Sequence, residues 1–102
     1  MTLKLTQQKA EALKYLFEQK INPEEPENIA ERLIKTLMWQ VYKKLRSHLE
    51  GKLKPRGYSV QLTDVEAMAF HVYFQNMHLG TGWIYEQTLI DSQLLEIDKQ
   101  YA

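Results

Sequence analysis

TDVEAMAFHVYFQNMHL, from Thr63 to Leu79, is the stretch on which the architecture turns. Thr63 followed by Glu66 forms a capping box, in which the hydroxyl accepts from the Glu66 amide and the carboxylate reaches back to the Thr63 amide. Leu62, just before the cap, is placed to close on Ala67 as a hydrophobic staple. Val65, Ala67, Met68, Ala69, Phe70, Val72, Tyr73, Phe74, Met77 and Leu79 then occupy most of the helical circumference. A helix apolar nearly all round must be covered by its neighbours. This helix is therefore expected at the centre, with the other helices packed against it. Its one narrow polar strip, Asp64, His71, Gln75 and His78, is expected to face solvent.

Working outward, a first helix is expected from about Gln7 to Lys20, capped by Thr6. Ala10, Leu13, Leu16, Phe17 and Ile21 share one side at i, i+3, i+4 spacing. NPEEPEN then reads as a short acidic turn. The second helix is the longest: Asn28 is its cap with Glu31 three residues on, and Gly51 is a natural left-handed stop. Ile29, Ala30, Leu33, Ile34, Leu37, Met38, Val41, Tyr42, Leu45 and Leu49 spread over about half its wheel.

Lys54-Pro55-Arg56-Gly57 matches a type I turn. Tyr58, Val60 and Leu62 then alternate with Ser59 and Gln61 at the period of a strand. An extended arm is expected over 58–62, with a hairpin as its fuller form. Gly80 ends the central helix, and a last helix runs from about Trp83 to Lys99. Its core stripe is Trp83, Ile90, Leu94, Ile97 and Tyr101, while Ile84 and Leu95 form a second strip expected to meet another neighbour. The expected fold is all-α: a small four-helix, bundle-like single domain over 1–102, with a short extended or hairpin segment between helices two and three.

Composition narrows the function classes. There is no cysteine, which excludes disulfides and thiolate metal sites. No apolar run approaches the roughly 20 residues that span a bilayer, so a soluble cytoplasmic protein without membrane contact is expected. Net charge is zero but unevenly spread. Residues 43–56 carry Lys43, Lys44, Arg46, Lys52, Lys54 and Arg56 against Glu50 alone. Residues 57–102 carry Lys99 against six acids. Such asymmetry suggests an interaction surface, or two parts that attract each other within the fold or a dimer.

The sharpest local feature is Trp39, roughly opposite the apolar face of helix two at ~100° per residue. Arg32, Lys35, Lys43 and Arg46 surround it at helical spacing. An indole among four cations suits an acidic protein segment or a second copy, because Trp and Arg are enriched at interaction hot spots. It also suits stacking on a base with the cations on phosphates. The competing structural account is a core indole with basic side chains snorkelling around it. Lys52, Lys54 and Arg56 extend the basic stripe into the turn. A pI of about 6.8 is low for a dedicated nucleic-acid domain.

His71 and His78 stand about 10.5 Å apart along a helix, too far to share one ion without help from elsewhere. No serine sits in a nucleophile elbow, and Gly80-Thr81-Gly82 has no strand before it. No cofactor and no catalytic residue is expected. The sequence reads as a non-enzymatic interaction domain that associates with itself, as a homodimer, or with an acidic partner. The alternative is a nucleic-acid-binding accessory protein using the same 32–56 surface.

Overall fold

The computed structural model describes residues 1–51, 56–75, 77 and 79–101. In chain order its elements are strand β1 (Thr2–Leu5), helix α1 (Gln7–Leu16) continued by a π-helical turn (Phe17–Ile21), helix α2 (Ile29–Glu50), strand β2 (Tyr58–Gln61), helix α3 (Asp64–Gln75), a 3₁₀ turn (Thr81–Trp83) and helix α4 (Ile84–Tyr101). The mostly helical class expected from the sequence is what forms.

The expected caps are made. Thr6 Oγ1 accepts from the Lys9 amide at 3.2 Å, and Asn28 Oδ1 accepts from the Glu31 amide at 2.9 Å. At α3 the box closes both ways: Glu66 N donates to Thr63 Oγ1 at 3.2 Å and Thr63 N to Glu66 Oε1 at 2.8 Å. The first helix stops at Ile21, near its expected end, but one turn within it and the stop of α2 differ from expectation. The first helix widens at Phe17, where the Asn22 amide bonds the Phe17 carbonyl at 2.7 Å. That wider turn leaves both Phe17 and Ile21 in the core. Gly51 has φ −81° and ψ −166°, extended rather than left-handed, so α2 ends without the expected glycine geometry.

The extended arm is there, but its partner is the beginning of the chain. β2 pairs antiparallel with β1 in the register Thr2–Gln61, Leu3–Val60, Lys4–Ser59 and Leu5–Tyr58. Leu3, Leu5, Tyr58 and Val60 all turn to the core. Gly57 lies where this ladder begins, at φ +89°; a Cβ there would stand 2.5 Å from the Leu5 carbonyl oxygen, so only glycine fits. The first arm of the expected hairpin and half of its type I turn fall on 52–55, outside the described residues.

The helices run antiparallel to their neighbours. Glu18 meets Tyr42 and Ile21 meets Lys35 between α1 and α2; Lys44 meets Glu66 between α2 and α3; Asp64 meets Tyr101 and His71 meets Asp98 between α3 and α4. Aromatic rings join three elements at the centre. Phe17 stacks on Tyr42 at 5.8 Å between centroids and meets Phe74 edge-on at 6.4 Å; Phe70 lies 4.7 Å from Phe74.

α3 is the central helix, yet it is not covered all round. Ala67, Ala69, Phe70 and Phe74 are buried, while Val65, Met68 and Val72 stand about half exposed along its outer side. The polar strip is correspondingly only partly its solvent face. His71 Nε2 lies 2.6 Å from Asp98 Oδ1 and Asp64 accepts from the Tyr101 hydroxyl at 2.7 Å, so these two face α4, while Gln75 is exposed and His78 lies outside the described residues. On α4 the expected second strip is also corrected. Ile84 and Leu95 are exposed, whereas Leu89 and Gln93 join Ile90 and Ile97 in burial.

Candidate functional site

The site predicted around Trp39 begins in the core. Tyr42 is buried, its ring stacked on Phe17 and its hydroxyl donating to Glu18 Oε2 at 2.7 Å. That bond is the main cause of a Glu18 carboxyl held below its ordinary range, with Lys14 at 3.3 Å adding to it. Burial, and then the same bond, raise the Tyr42 phenol. Tyr42 is thereby held in one orientation, and Trp39 leans on it with ring centroids 5.2 Å apart. The outer part of the indole is open: Trp39 is 46% exposed. It belongs to the surface, resting on a fixed base, rather than to the core.

The surrounding cations do not act as one set. Arg32, Lys43 and Arg46 are exposed on the same side of α2. Arg46 Nε pairs with Glu50 Oε1 at 3.2 Å, and its guanidinium carbon lies 6.0 Å from the Tyr42 ring centroid. Arg32 and Lys43 have no ion pair among the described residues. Lys35 is drawn inward: its ammonium donates to the carbonyl of Ile21 at the end of the first helix, which also accepts from the Glu24 amide at 3.2 Å. Desolvation there lowers its pKa. Arg56 is exposed ahead of β2. Lys52 and Lys54, also predicted as part of this surface, lie outside the described residues.

Lys44 separates from the run as well. Its ammonium stands 2.5 Å from Glu66 Oε1 and 3.1 Å from the Gln61 carbonyl oxygen. Glu66 is 2% exposed. Burial pushes its carboxyl upward, but the Lys44 and Thr63 bonds outweigh that and hold it below the usual carboxylate range. Lys44 is thus a structural clamp between α2, β2 and α3.

Residues that sequence reasoning assigned to the core complete the surface. Ile29 is 86% and Leu33 62% exposed, on the same outer side of α2 as Thr36 and Lys43. Just inward, Ile34 and Lys35 line a cleft with Glu24, Glu31, Val72, Tyr73 and Met77. The Tyr73 hydroxyl is buried in this region without a hydrogen-bond partner among the described residues. Burial and the nearby Glu24 carboxylate raise its pKa. Element lengths go with this incomplete packing, and they do not show in the sequence, where the central helix is expected as far as Leu79. α2 has 22 residues, about 33 Å, against 12 residues and about 18 Å for α3. A long helix on a short one overhangs it.

The arrangement presents an indole, two isoleucine- and leucine-sized apolar groups and three exposed cations along one helix. Among the described residues no three His, Asp or Glu side chains converge as a metal site. Comparison with known proteins finds no matching family model, no curated relative and no similar solved structure.

Proposed function

We propose that this protein is a non-enzymatic interaction domain whose binding surface is the outer face of α2, and that it associates through that face with a second copy or with an acidic protein. The observation that carries the reading is Trp39, 46% exposed yet seated on an immobilised tyrosine, with Arg32, Lys43 and Arg46 on the same side. A pre-ordered aromatic loses little conformational freedom on binding, and Trp and Arg are both enriched at the energetic centres of interfaces. Ile29 and Leu33 lengthen the apolar part of the surface. Withdrawal of Lys35 to a backbone carbonyl and of Lys44 to Glu66 removes two cations from any phosphate-tracking path, which favours a protein partner over nucleic acid. A cytoplasmic setting belongs to the same proposal; the supporting fact is that no helix among the described residues is long and apolar enough to cross a membrane.

The test is Trp39→Ala, read by thermal melting and by sedimentation. Stability should change by less than about 1 kcal/mol, since half-exposed positions sit near the surface range, while association weakens. Lys43→Glu combined with Arg46→Glu should weaken association in the same way. A Trp39→Ala protein that melts several degrees lower and associates unchanged would end the proposal. Binding of a polynucleotide that falls steeply with salt, with no self-association, would replace it by the phosphate reading.

A further inference from the structure

We infer that the outer face of α2 is closed by a second copy of this chain, its α2 running antiparallel about a two-fold axis at Thr36. The inference rests on the reading of that face as the binding surface, and it names the occupant and its geometry.

Charge order along the helix favours this arrangement. Of the exposed groups leading into α2, Glu25 and Glu27 are acidic; toward its far end Lys43 and Arg46 are exposed, with Glu50 paired to Arg46. A parallel pair of such helices sets acid on acid and base on base. An antiparallel pair brings each acidic end to a basic one and opposes the helix dipoles favourably as well. The interface is then the same patch on both copies, so that the assembly closes at two.

The position of the axis follows from the side chains. Thr36 is exposed, small and central on the outer face, its hydroxyl satisfied by the Arg32 carbonyl at 2.9 Å. Helices approach to about 8–10 Å where contact residues are small. With the axis there, each residue stands level with the one equally far along the other copy. Leu33 comes level with Trp39, beside Arg32 of the other chain, whose guanidinium is then available to the indole face. Ile29 comes level with the apolar stem of Lys43. Arg46 comes level with the stretch that carries Glu25 and Glu27, and its present exposed pair with Glu50 is of the kind worth little on its own. The outer strip of α3, Val65, Met68 and Val72, has no comparable order, because α3 contains no lysine or arginine.

The absence of cysteine makes the geometry directly testable. Thr36→Cys should form a disulfide-linked dimer under mild oxidation, since residues on the axis bring their Cα atoms within the roughly 4.4–6.8 Å that a disulfide spans. Ser92→Cys, exposed on α4, should remain unlinked at the same concentration. An equimolar mixture of Ile29→Cys and Lys43→Cys chains should give the mixed disulfide in preference to either like pair. Glu25→Lys with Glu27→Lys should weaken dimerisation by about tenfold or more, and adding Lys43→Glu with Arg46→Glu should restore it. Like-with-like crosslinks from the mixture would overturn the antiparallel arrangement. So would Thr36→Cys linking no faster than Ser92→Cys. Were Trp39→Ala still to abolish association in either case, the α2 face would stand with a different geometry. A wild-type chain that sediments as a monomer at millimolar concentration would exclude the second copy, leaving that face to an acidic protein of another kind.

Discussion

The two halves of α2 are both rich in apolar residues and bury them to different extents. From Met38 to Leu45 its apolar residues Met38, Val41, Tyr42 and Leu45 are buried. From Ile29 to Leu37 only Ile34 and Leu37 continue that stripe, and they are partly covered, while Ile29 and Leu33 fall on the outer side with Thr36 and are exposed. The second half has Phe17 and Phe74 behind it and the Lys44–Glu66 clamp beside it. The first half projects past the shorter α3, beside a cleft where the Tyr73 hydroxyl finds no partner. What the contrast teaches is that an amphipathic period measures how much apolar surface a helix offers. How much is accepted depends on the reach of its neighbours. Surface that is offered and not accepted is where a partner gains most.

The contrast can be broken most forcefully at the core. Phe74→Ala removes the wall behind the buried half and should cost about 3–5 kcal/mol, with Leu45→Ala costing about 2–5 kcal/mol. Leu33→Ala, the same kind of truncation in the other half, should stay within about ±0.5 kcal/mol in the monomer. Equal losses for Leu45→Ala and Leu33→Ala in denaturant titrations would mean that the first half is packed after all.

The clamp sharpens the comparison next. Lys44→Met leaves the Glu66 carboxylate buried with only its Thr63 amide bond, at a cost of about 1–3 kcal/mol. Its pH dependence has a definite sign. The folded-state pKa of Glu66 is depressed, so in the acid range the unfolded chain binds more protons and stability rises with pH. The contribution is complete above the ordinary glutamate value, about 4.3, and is lost as pH falls through the lower folded value. Glu66→Gln should flatten that part of the acid unfolding profile. A profile identical to wild type would show that Glu66 is not the group responsible.

The smallest effect lies at the α3 cap. Thr63→Ala removes the acceptor of the Glu66 amide and should cost roughly 0.5–2 kcal/mol. Thr63→Asp should cost much less, since aspartate caps as well and suits the positive helix end. Hydrogen exchange at the first turn of α3 would separate the two. Identical behaviour of both variants would dissociate the box from the stability of the buried half that it supports.

Local chemistry was enough, from the sequence alone, for the features that depend on near neighbours in the chain. Thr6, Asn28 and Thr63 cap where their side chains reach an amide three residues on, and that bond forms wherever the helix forms. The start of α2, the extended arm at 58–61 and the central place of α3 were legible for the same reason. The strand β1 was not. Leu3 and Leu5 alternate with Thr2 and Lys4, but two apolar residues make a faint period, and their partner lies more than fifty positions away. The site was half legible. Arg32, Trp39, Lys43 and Arg46 share a helical side by spacing alone, whereas Lys35 and Lys44 were drawn off by an Ile21 carbonyl and a Glu66 carboxylate supplied by other elements. Which strip of α3 met α4, whether Ile29 and Leu33 were covered, and whether an indole resting on Tyr42 remained open to solvent were decided by helix lengths and packing together. A side chain's burial is a property of what comes to lie against it, and only the tertiary structure supplies that.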